Sequence, residues 1–298
     1  MSNAPTTGLS AWLRHRAYRV LHAISPAFTF QLQKRFSKKC CENWGYRTKQ
    51  ALACPDNAYI KRVPEAGQVQ GEFQVMHNGV KVLLGSYYGK DSVKLIRKNR
   101  GVHEPQEERI FQEVLPLLAP GGVMIELGAY WGYYSLWFCK EVPRAQAYLV
   151  EPIRENLELG KRNFAANALG EAHFTHAWVG DKSGTADDGT RIICVDDFVA
   201  EQQLERVTIL HSDIQGFEMQ MLKGSQQTIK AGKISFCFIS THSVEMHNQC
   251  DALLREYGFE ILASISPPES YSVDGILVGR WPSAPAIRPL MISRRTRH

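Results

Sequence analysis

The chain has 298 residues, 44% of them hydrophobic and 22% charged, which is enough for one large α/β domain with an accessory segment and a sizeable buried core. The formal net charge of +5 falls well short of a histone-like excess, and neither a secretory apolar segment nor a membrane-spanning stretch is visible. Cys40, Cys41, Cys54, Cys139, Cys194, Cys237 and Cys250 are odd in number and form no CxxC pair, so they suggest neither a disulfide framework nor a zinc ribbon, and a reducing cytoplasm is the expected setting.

The positive charge gathers at the two ends. Residues 1–41 hold no Asp or Glu but carry Arg14, Arg16, Arg19, Lys34, Arg35, Lys38 and Lys39, and the tail from 283 adds Arg288, Arg294, Arg295 and Arg297. Such blocks either face anionic partners or form a solvated basic surface. Residues 9–24 place Leu9, Trp12, Leu13, Ala17, Val20, Leu21 and Ile24 at helical spacing. This basic amphipathic helix is expected to pack its stripe on the main domain, with peripheral contact at the inner membrane surface as the alternative. Further on, Phe73, Val75, Val80, Val82 and Leu84 flank Asn78-Gly79 and predict a hairpin over 72–86. Residues 1–103 thus read as a helical and hairpin extension on the substrate side. A helix is expected over 104–118, stopping at Pro120-Gly121-Gly122.

From Val123 the pattern alternates. Apolar strands fall at 123–127, 146–150, 172–178, 207–211, 233–239, 258–264 and 274–280, with helices at 132–140, 153–167, 216–230 and 246–257. This predicts a Rossmann-like, doubly wound, mostly parallel sheet in a domain spanning 104–282, followed by a basic tail at 283–298. The 265–273 connection is too short for a crossover helix, so the final strand is expected to be antiparallel. His247 and Cys250 on the preceding helix read as helix surface and core.

The most informative segment runs from Val123 to Gly132. A buried strand ends in Glu126, then Gly128 and Ala129 open a turn, and Gly132 starts a helix. The spacing is E-x-G-x-x-x-G. A dinucleotide loop needs a second glycine where Tyr130 stands, which argues against a nicotinamide-dependent oxidoreductase. An acid before the loop suits a cationic sulfonium ligand with an amino-acid tail, with Glu126 accepting from its ammonium. The second strand ends in Glu151-Pro152, and Glu151 lies 23 residues after Gly128, close to the spacing of an acid that binds both ribose hydroxyls.

These residues together resemble the FkbM family of methyltransferases over about residues 104–280. The likeness rests on Glu126-Leu127-Gly128-Ala129 with Gly132; on Glu151-Pro152 with Asn156, Asn163 and Asn167; on Gly180-Asp181-Lys182-Ser183-Gly184 with Val195-Asp196-Asp197; and on Asp213-Ile214-Gln215-Gly216-Phe217-Glu218 with Leu222-Lys223-Gly224. The resemblance implies a class I methyltransferase fold, S-adenosyl-L-methionine as cofactor, and methylation of a hydroxyl on a sugar, glycan or related small molecule. It implies a cofactor site of Glu126, Gly128, Ala129, Gly132, Glu151, Pro152 and Asp213. Glu126 stands where the family commonly has Asp, and Gln215 where it has Glu. Gln cannot act as a general base, so any charged role of that position passes to His211, Asp213 or Glu218.

Methyl transfer to oxygen needs alignment of the acceptor and removal of its proton. Strand alternation puts His211 and Asp213 on one face, and the 233–239 strand delivers His242 beside them. His242 is expected as the base or as an orienter of the acceptor hydroxyl, with Asp213 as its partner and His211 as a further candidate. His211, Asp213 and His242 would also make a three-ligand set for a divalent ion, with Asp274 as an outlier, but their chain spacing is not a metal signature and no metal is predicted. The acceptor is expected to be a small-molecule or glycan hydroxyl, anionic or lipid-linked. Nucleic acid is not expected, because no N-P-P-[YF]-like motif follows the 207–211 strand. The competing reading is a non-catalytic interaction protein that kept the fold, with Gln215 as its one foothold.

Overall fold

The computed structural model describes residues 43–296. The amphipathic pattern at 9–24 lies outside them. The described chain opens with helix α1 (Trp44–Ala53), capped by the Asn43 side chain, which accepts from Tyr46 N at 2.8 Å. Three short strands follow, β1 (Val69–Gln70), β2 (Phe73–Val75) and β3 (Lys81–Leu83), and pair antiparallel. β2 and β3 form the hairpin expected at Asn78-Gly79: Asn78 Oδ1 accepts from Val80 N at 3.0 Å and Gly79 adopts φ +84°. Helix α2 (Lys90–Lys98) leads to α3 (Pro105–Val114), which continues as a 3₁₀ turn to Leu117. α1 and α2 are additions to the elements that periodicity predicts; both are short and largely polar.

The large sheet begins with β4 (Val123–Leu127), α4 (Tyr133–Glu141), β5 (Gln146–Glu151), α5 (Arg154–Asn167) and β6 (Glu171–His176). A small sheet of β7 (Trp178–Val179), β8 (Gly184–Thr185) and β9 (Arg191–Ile193) comes next, then α6 (Val195–Glu201). The chain continues through β10 (Val207–Ser212), α7 (Glu218–Lys223), α8 (Gln226–Lys230), β11 (Ile234–Thr241), α9 (Val244–Glu256), β12 (Glu260–Ile265) and β13 (Gly275–Arg280). The seven strands run in the order β6-β5-β4-β10-β11-β13-β12, and β13 alone is antiparallel to its neighbours. This is a class I methyltransferase-like α/β sheet. It winds outward from β4 to β6, then restarts on the other side at β10, so the switch point lies between β4 and β10.

Two expected elements are divided. The strand expected over 172–178 breaks at Ala177 into β6 and β7. The helix expected over 216–230 breaks at Gly224-Ser225 into α7 and α8. A Cβ on Gly224 would stand 2.6 Å from the Gly180 carbonyl oxygen, so this glycine permits a close approach of two segments that belong to separate sequence motifs. Asp196 then caps α8, accepting from Gln227 N at 3.0 Å and Thr228 N at 2.8 Å.

Alternation along the strands builds two apolar layers. Ile125, Leu127, Val150, Leu210 and Ile239 face the layer of α6, α7, α8 and α9; Met124, Leu149, Ile209 and Phe238 face that of α3 and α4. Met76, Val80, Val82, Leu95 and Ile96 belong to the second layer, so residues 43–103 share its core instead of enclosing their own. The hairpin is held by amides on α5. Asn163 Oδ1 accepts from Leu83 N at 2.8 Å while its Nδ2 donates to Trp131 O at 2.9 Å, and Asn167 accepts from Lys81 N at 2.9 Å and donates to Lys81 O at 2.6 Å. The tail is also tied down: Asp56 accepts from Ser293 N at 3.0 Å, and Arg294 pairs with Glu269 at 2.9 Å. His247, read as helix surface, is instead buried between Thr241 Oγ1 at 2.9 Å and Ser264 Oγ at 3.0 Å, because α9 lies flat on the sheet edge. No helix among the described residues is long and apolar enough to cross a membrane.

Asn163 is fully buried, and removing it orphans a backbone donor and acceptor. Asn163→Ala should cost about 1–3 kcal/mol for the groups left unpaired, read as a lower denaturant midpoint in equilibrium unfolding; an unchanged midpoint would show that the hairpin is held by packing alone.

Candidate active site

Strand parity decides which polar side chains meet. Glu126 and Glu151 end β4 and β5 on the face that carries Met124 and Leu149, and His211 lies opposite Glu126 in the register. Ser240 of β11 points the same way. All four project toward α3 and α4.

The glycine turn is shaped by a collision avoided. Gly128 has φ +72°, and a Cβ there would stand 2.0 Å from the Asp213 carbonyl oxygen. Gly132, at φ +73°, would press a Cβ to 2.9 Å from Leu149 Cδ2 and so admits α4 close to β5. Gly128 N and Ala129 N both donate to Val150 O, at 2.9 and 3.1 Å. Glu126 lies beneath the first turn of α4, where its Oε2 accepts from Ser135 N at 3.1 Å; burial raises its pKa, partly offset by His211 and the Ser135 donor. Glu151 Oε1 accepts from Ile153 N at 3.0 Å and Asn156 Nδ2 at 3.2 Å, and Oε2 from Tyr130 N at 3.0 Å. Burial pushes its pKa up to about 7 in spite of these donors. A carboxylate oxygen accepts two hydrogen bonds, so Oε2 keeps room for one hydroxyl. The Pro152 carbonyl bonds His176 Nε2 at 3.0 Å.

His211 and His242 part company. His211 Nε2 meets Glu107 Oε1 of α3 at 2.9 Å, its ring lies 4.4 Å from that of Tyr134, and its Nδ1 finds no acceptor among the described residues. Burial opposes its charge, but Glu107, Glu126 and Asp213 raise its pKa overall. His242 Nδ1 donates to Glu218 Oε1 at 2.7 Å; its Nε2 lies 3.1 Å from Asp213 Oδ1 and 3.4 Å from Asp274 Oδ1, aligned with neither. Burial again opposes the charge, but Asp274, Glu218 and Asp213 outweigh it and hold the pKa well above the ordinary value. The three carboxylates thus favour the protonated form of His242. Its Nδ1 is taken up by Glu218, and its Nε2 faces the Asp213 and Asp274 carboxylates. His211, Asp213 and His242 do not form the three-ligand set: among the described residues no group of three His, Cys, Asp or Glu is placed to hold a metal.

Gln215, at φ +54°, donates from Nε2 to Asp213 Oδ1 at 3.0 Å. A glutamate there would set a further carboxylate beside Asp213, Glu218 and Asp274; the amide instead supplies a donor. Three contributors escaped the sequence reading. Glu107 lies in the first turn of α3, where acids serve helix ends by default, and only the excess of Glu104, Glu107 and Glu108 there hints at more. Tyr87 and Tyr88 follow the hairpin and cover the glycine turn: the Tyr87 ring stacks on Trp131 at 4.7 Å, and Tyr130 Oη accepts from Tyr88 N at 3.1 Å.

Residues 182–261, which include Asp213, Gln215, Glu218 and His242, match the model of the methyltransferase FkbM domain. No curated protein matches the chain. Among solved structures it is distantly similar to a precorrin-6y C5,15-methyltransferase from Geobacter metallireducens, with 11% identity over 58% of this chain and 88% of the other and a TM-score of 0.41. It is also similar to TrmK of M. capricolum in complex with S-adenosyl-homocysteine (11%, 59% and 69%, TM-score 0.42) and to a magnesium protoporphyrin IX methyltransferase from Synechocystis (11%, 59% and 83%, TM-score 0.39). The FkbM match spans the β10–β11 half of the sheet; the Glu126 to Glu151 half precedes it.

The carboxylate clamp on His242 has a measurable sign. The imidazole's folded pKa lies above its unfolded value of about 6.5, so the clamp's contribution to stability is full below that pH and is lost as pH rises through the folded pKa. In an NMR titration His242 should remain protonated at pH 7 in the parent and titrate at lower pH in Glu218→Gln; a normal midpoint in the parent would dismiss the clamp.

Proposed function

We propose that the protein is an S-adenosylmethionine-dependent O-methyltransferase acting on a hydroxyl of a sugar, glycan or related small molecule. The observation that carries this reading is the convergence, at the switch point, of Glu151 and the collision-limited Gly128 turn with the His242 cluster at the ends of β10 and β11. The residues suit such a cofactor. Gly128 leaves space that a Cβ would fill, Glu151 retains an acceptor site for a ribose hydroxyl, and the surrounding carboxylates favour a cationic ligand. Glu126 would act on the ammonium through charge across the α4 turn.

When bound, S-adenosylmethionine would supply a methyl group on a sulfonium, which an acceptor oxygen would take as the carbon–sulfur bond broke with its electron pair left on sulfur, so that the chain would have to receive the hydroxyl proton. The chain offers two carboxylates for that proton. Glu218 is sealed from solvent, but the Asp213 and Asp274 side chains keep 35% and 19% exposure. Asp213 is held below the ordinary carboxylate range: burial works against this, but His242, His211 and the Gln215 amide outweigh it. Asp274 is held above it, by burial and by Asp213, although His242 pulls the other way. Asp274 is therefore the better proton acceptor and Asp213 the better fixed charge. His242, anchored by Glu218, sets a positive charge beside both and would steady the developing negative charge.

Calorimetric titration should give micromolar binding of S-adenosyl-homocysteine and none of NADH, with the first weakened at least tenfold in Glu151→Ala, the scale of one lost charge-assisted hydrogen bond. No binding by the folded protein would favour the non-catalytic reading, and binding of NADH the oxidoreductase.

A further inference from the structure

A cleft of about 190 Å³ opens between α1 and the segment that links β12 to β13, closed on one side by the C-terminal tail. It lies outside the FkbM match, and neither the cofactor nor the proton transfer uses it. Its walls are Trp44, Tyr46, Arg47 and Gln50 of α1, Ser272 and Val273 of the linking segment, and Arg295 of the tail. Val273 directly precedes Asp274, and the Arg47 guanidinium is close enough to act on the Asp274 carboxyl. Two wall residues of the cleft, Arg47 and Val273, thus neighbour Asp274 through charge and through the chain.

Its two arginines are incompletely satisfied, each differently. Arg295 donates through Nε and Nη2 to Pro268 O, at 3.2 and 2.8 Å, and through Nη1 to Tyr46 Oη. None of these is a carboxylate, and no ion pair neutralises its charge among the described residues. Arg47 is more than nine-tenths buried and pairs with Glu104 at 3.1 Å, yet its Nε finds no acceptor among the described residues. A buried donor left without a partner costs free energy, and Arg47 lines the cleft. Trp44 supplies an aromatic wall 5.1 Å from the Arg47 guanidinium. A planar ring, guanidinium forks and amide and hydroxyl side chains together suit an oxygen-rich ring bearing an anion.

We propose that this cleft is the acceptor site and that it takes a sugar carrying a carboxylate or phosphate group; the inference rests on the methyltransferase reading. The charges orient the ligand. Arg295 holds the anion at the outer end, because the Asp213, Glu218 and Asp274 carboxylates repel it from the inner end, and the reacting hydroxyl reaches Asp274. The volume lies below the roughly 300 Å³ of a full small-molecule pocket, so the cleft reads one ring with its charged group and leaves the rest of an acceptor outside.

The test is calorimetry of the full chain, with S-adenosyl-homocysteine present, against glucuronate, glucose 6-phosphate, glucose and inorganic phosphate. At least one charged sugar should bind about tenfold or more tighter than glucose and tighter than inorganic phosphate, as one charge-assisted contact added to ring contacts would give. The preference between the two charged sugars tells a carboxylate reader from a phosphate reader. Arg295→Gln should abolish the preference over glucose, Trp44→Ala should weaken every sugar, and both should keep the parent's affinity for S-adenosyl-homocysteine, which shows that they fold. Equal binding of glucose and the charged sugars, phosphate binding as tightly as glucose 6-phosphate, no sugar binding, or indifference to both substitutions would each overturn the proposal. Loss of S-adenosyl-homocysteine binding in the parent would instead strike the cofactor reading, since the sugar series without cofactor still reports on the cleft.

Discussion

Gly128 and the carbonyl of Asp213 occupy adjoining space in which no side chain fits. The same junction is tied by Asp213 N donating to Leu127 O at 3.0 Å and by Gly128 N and Ala129 N donating to Val150 O. The ends of β4, β5 and β10 are thereby drawn to one point. The strand order reverses there, so the loops that leave these strands diverge and open a crevice. Glu126, Glu151 and Asp213 owe their neighbourhood to this junction and not to their own pairing. A polar site built on strand ends and held by backbone hydrogen bonds is fixed before any ligand arrives, as preorganised catalysis requires.

The second constraint is charge. Glu107, Glu126, Asp213, Glu218 and Asp274 converge on His211 and His242, five carboxylates against two imidazoles. Buried carboxylates at such density cannot all ionise without compensation. The imidazoles supply some of it by staying protonated, and Asp274 and Glu126 yield by rising in pKa. Gln215 is intelligible in this setting: where the family carries a carboxylate, this chain uses an amide that donates to Asp213 and adds no further negative charge. A cationic cofactor would relieve the remaining excess, which is why the acid count supports a sulfonium more than a pyrophosphate.

The alternation of apolar strands and helices made the large sheet legible, and the short 265–273 link made β13 legible as its antiparallel strand. The placement of Glu126, Glu151, Asp213 and His242 at or just beyond strand ends was legible because the apolar runs that precede them were. The charge state of His242 was not, since it depends on Glu218 and Asp274, which lie 24 residues before it and 32 after and meet it only through the fold. Likewise Gly224 broke a helix that periodicity ran through, because the reason for that glycine is the Gly180 carbonyl on another element. Asn163 and Asn167 stood in the sequence as motif members; only the structure gives them the exposed backbone of β3 to bind.

That last pairing links the two halves of the site mechanically. α5 begins just after Glu151, bonds that carboxylate through Asn156 in its first turn, and holds β3 in its later turns through Asn163 and Asn167. The chain beyond β3 delivers Tyr87 and Tyr88 onto the glycine turn, and Tyr87 Oη accepts from Arg47 at 2.8 Å. One helix thus sets the cofactor-side acid and, through the hairpin, the arginine of the α1 cleft. Of the residues that build this link, none lies within 182–261, the stretch common to the family. Asp213, Glu218 and His242 lie inside the matched stretch, while Glu126, Glu151 and the hairpin that couples them to Arg47 lie in the segment that precedes it.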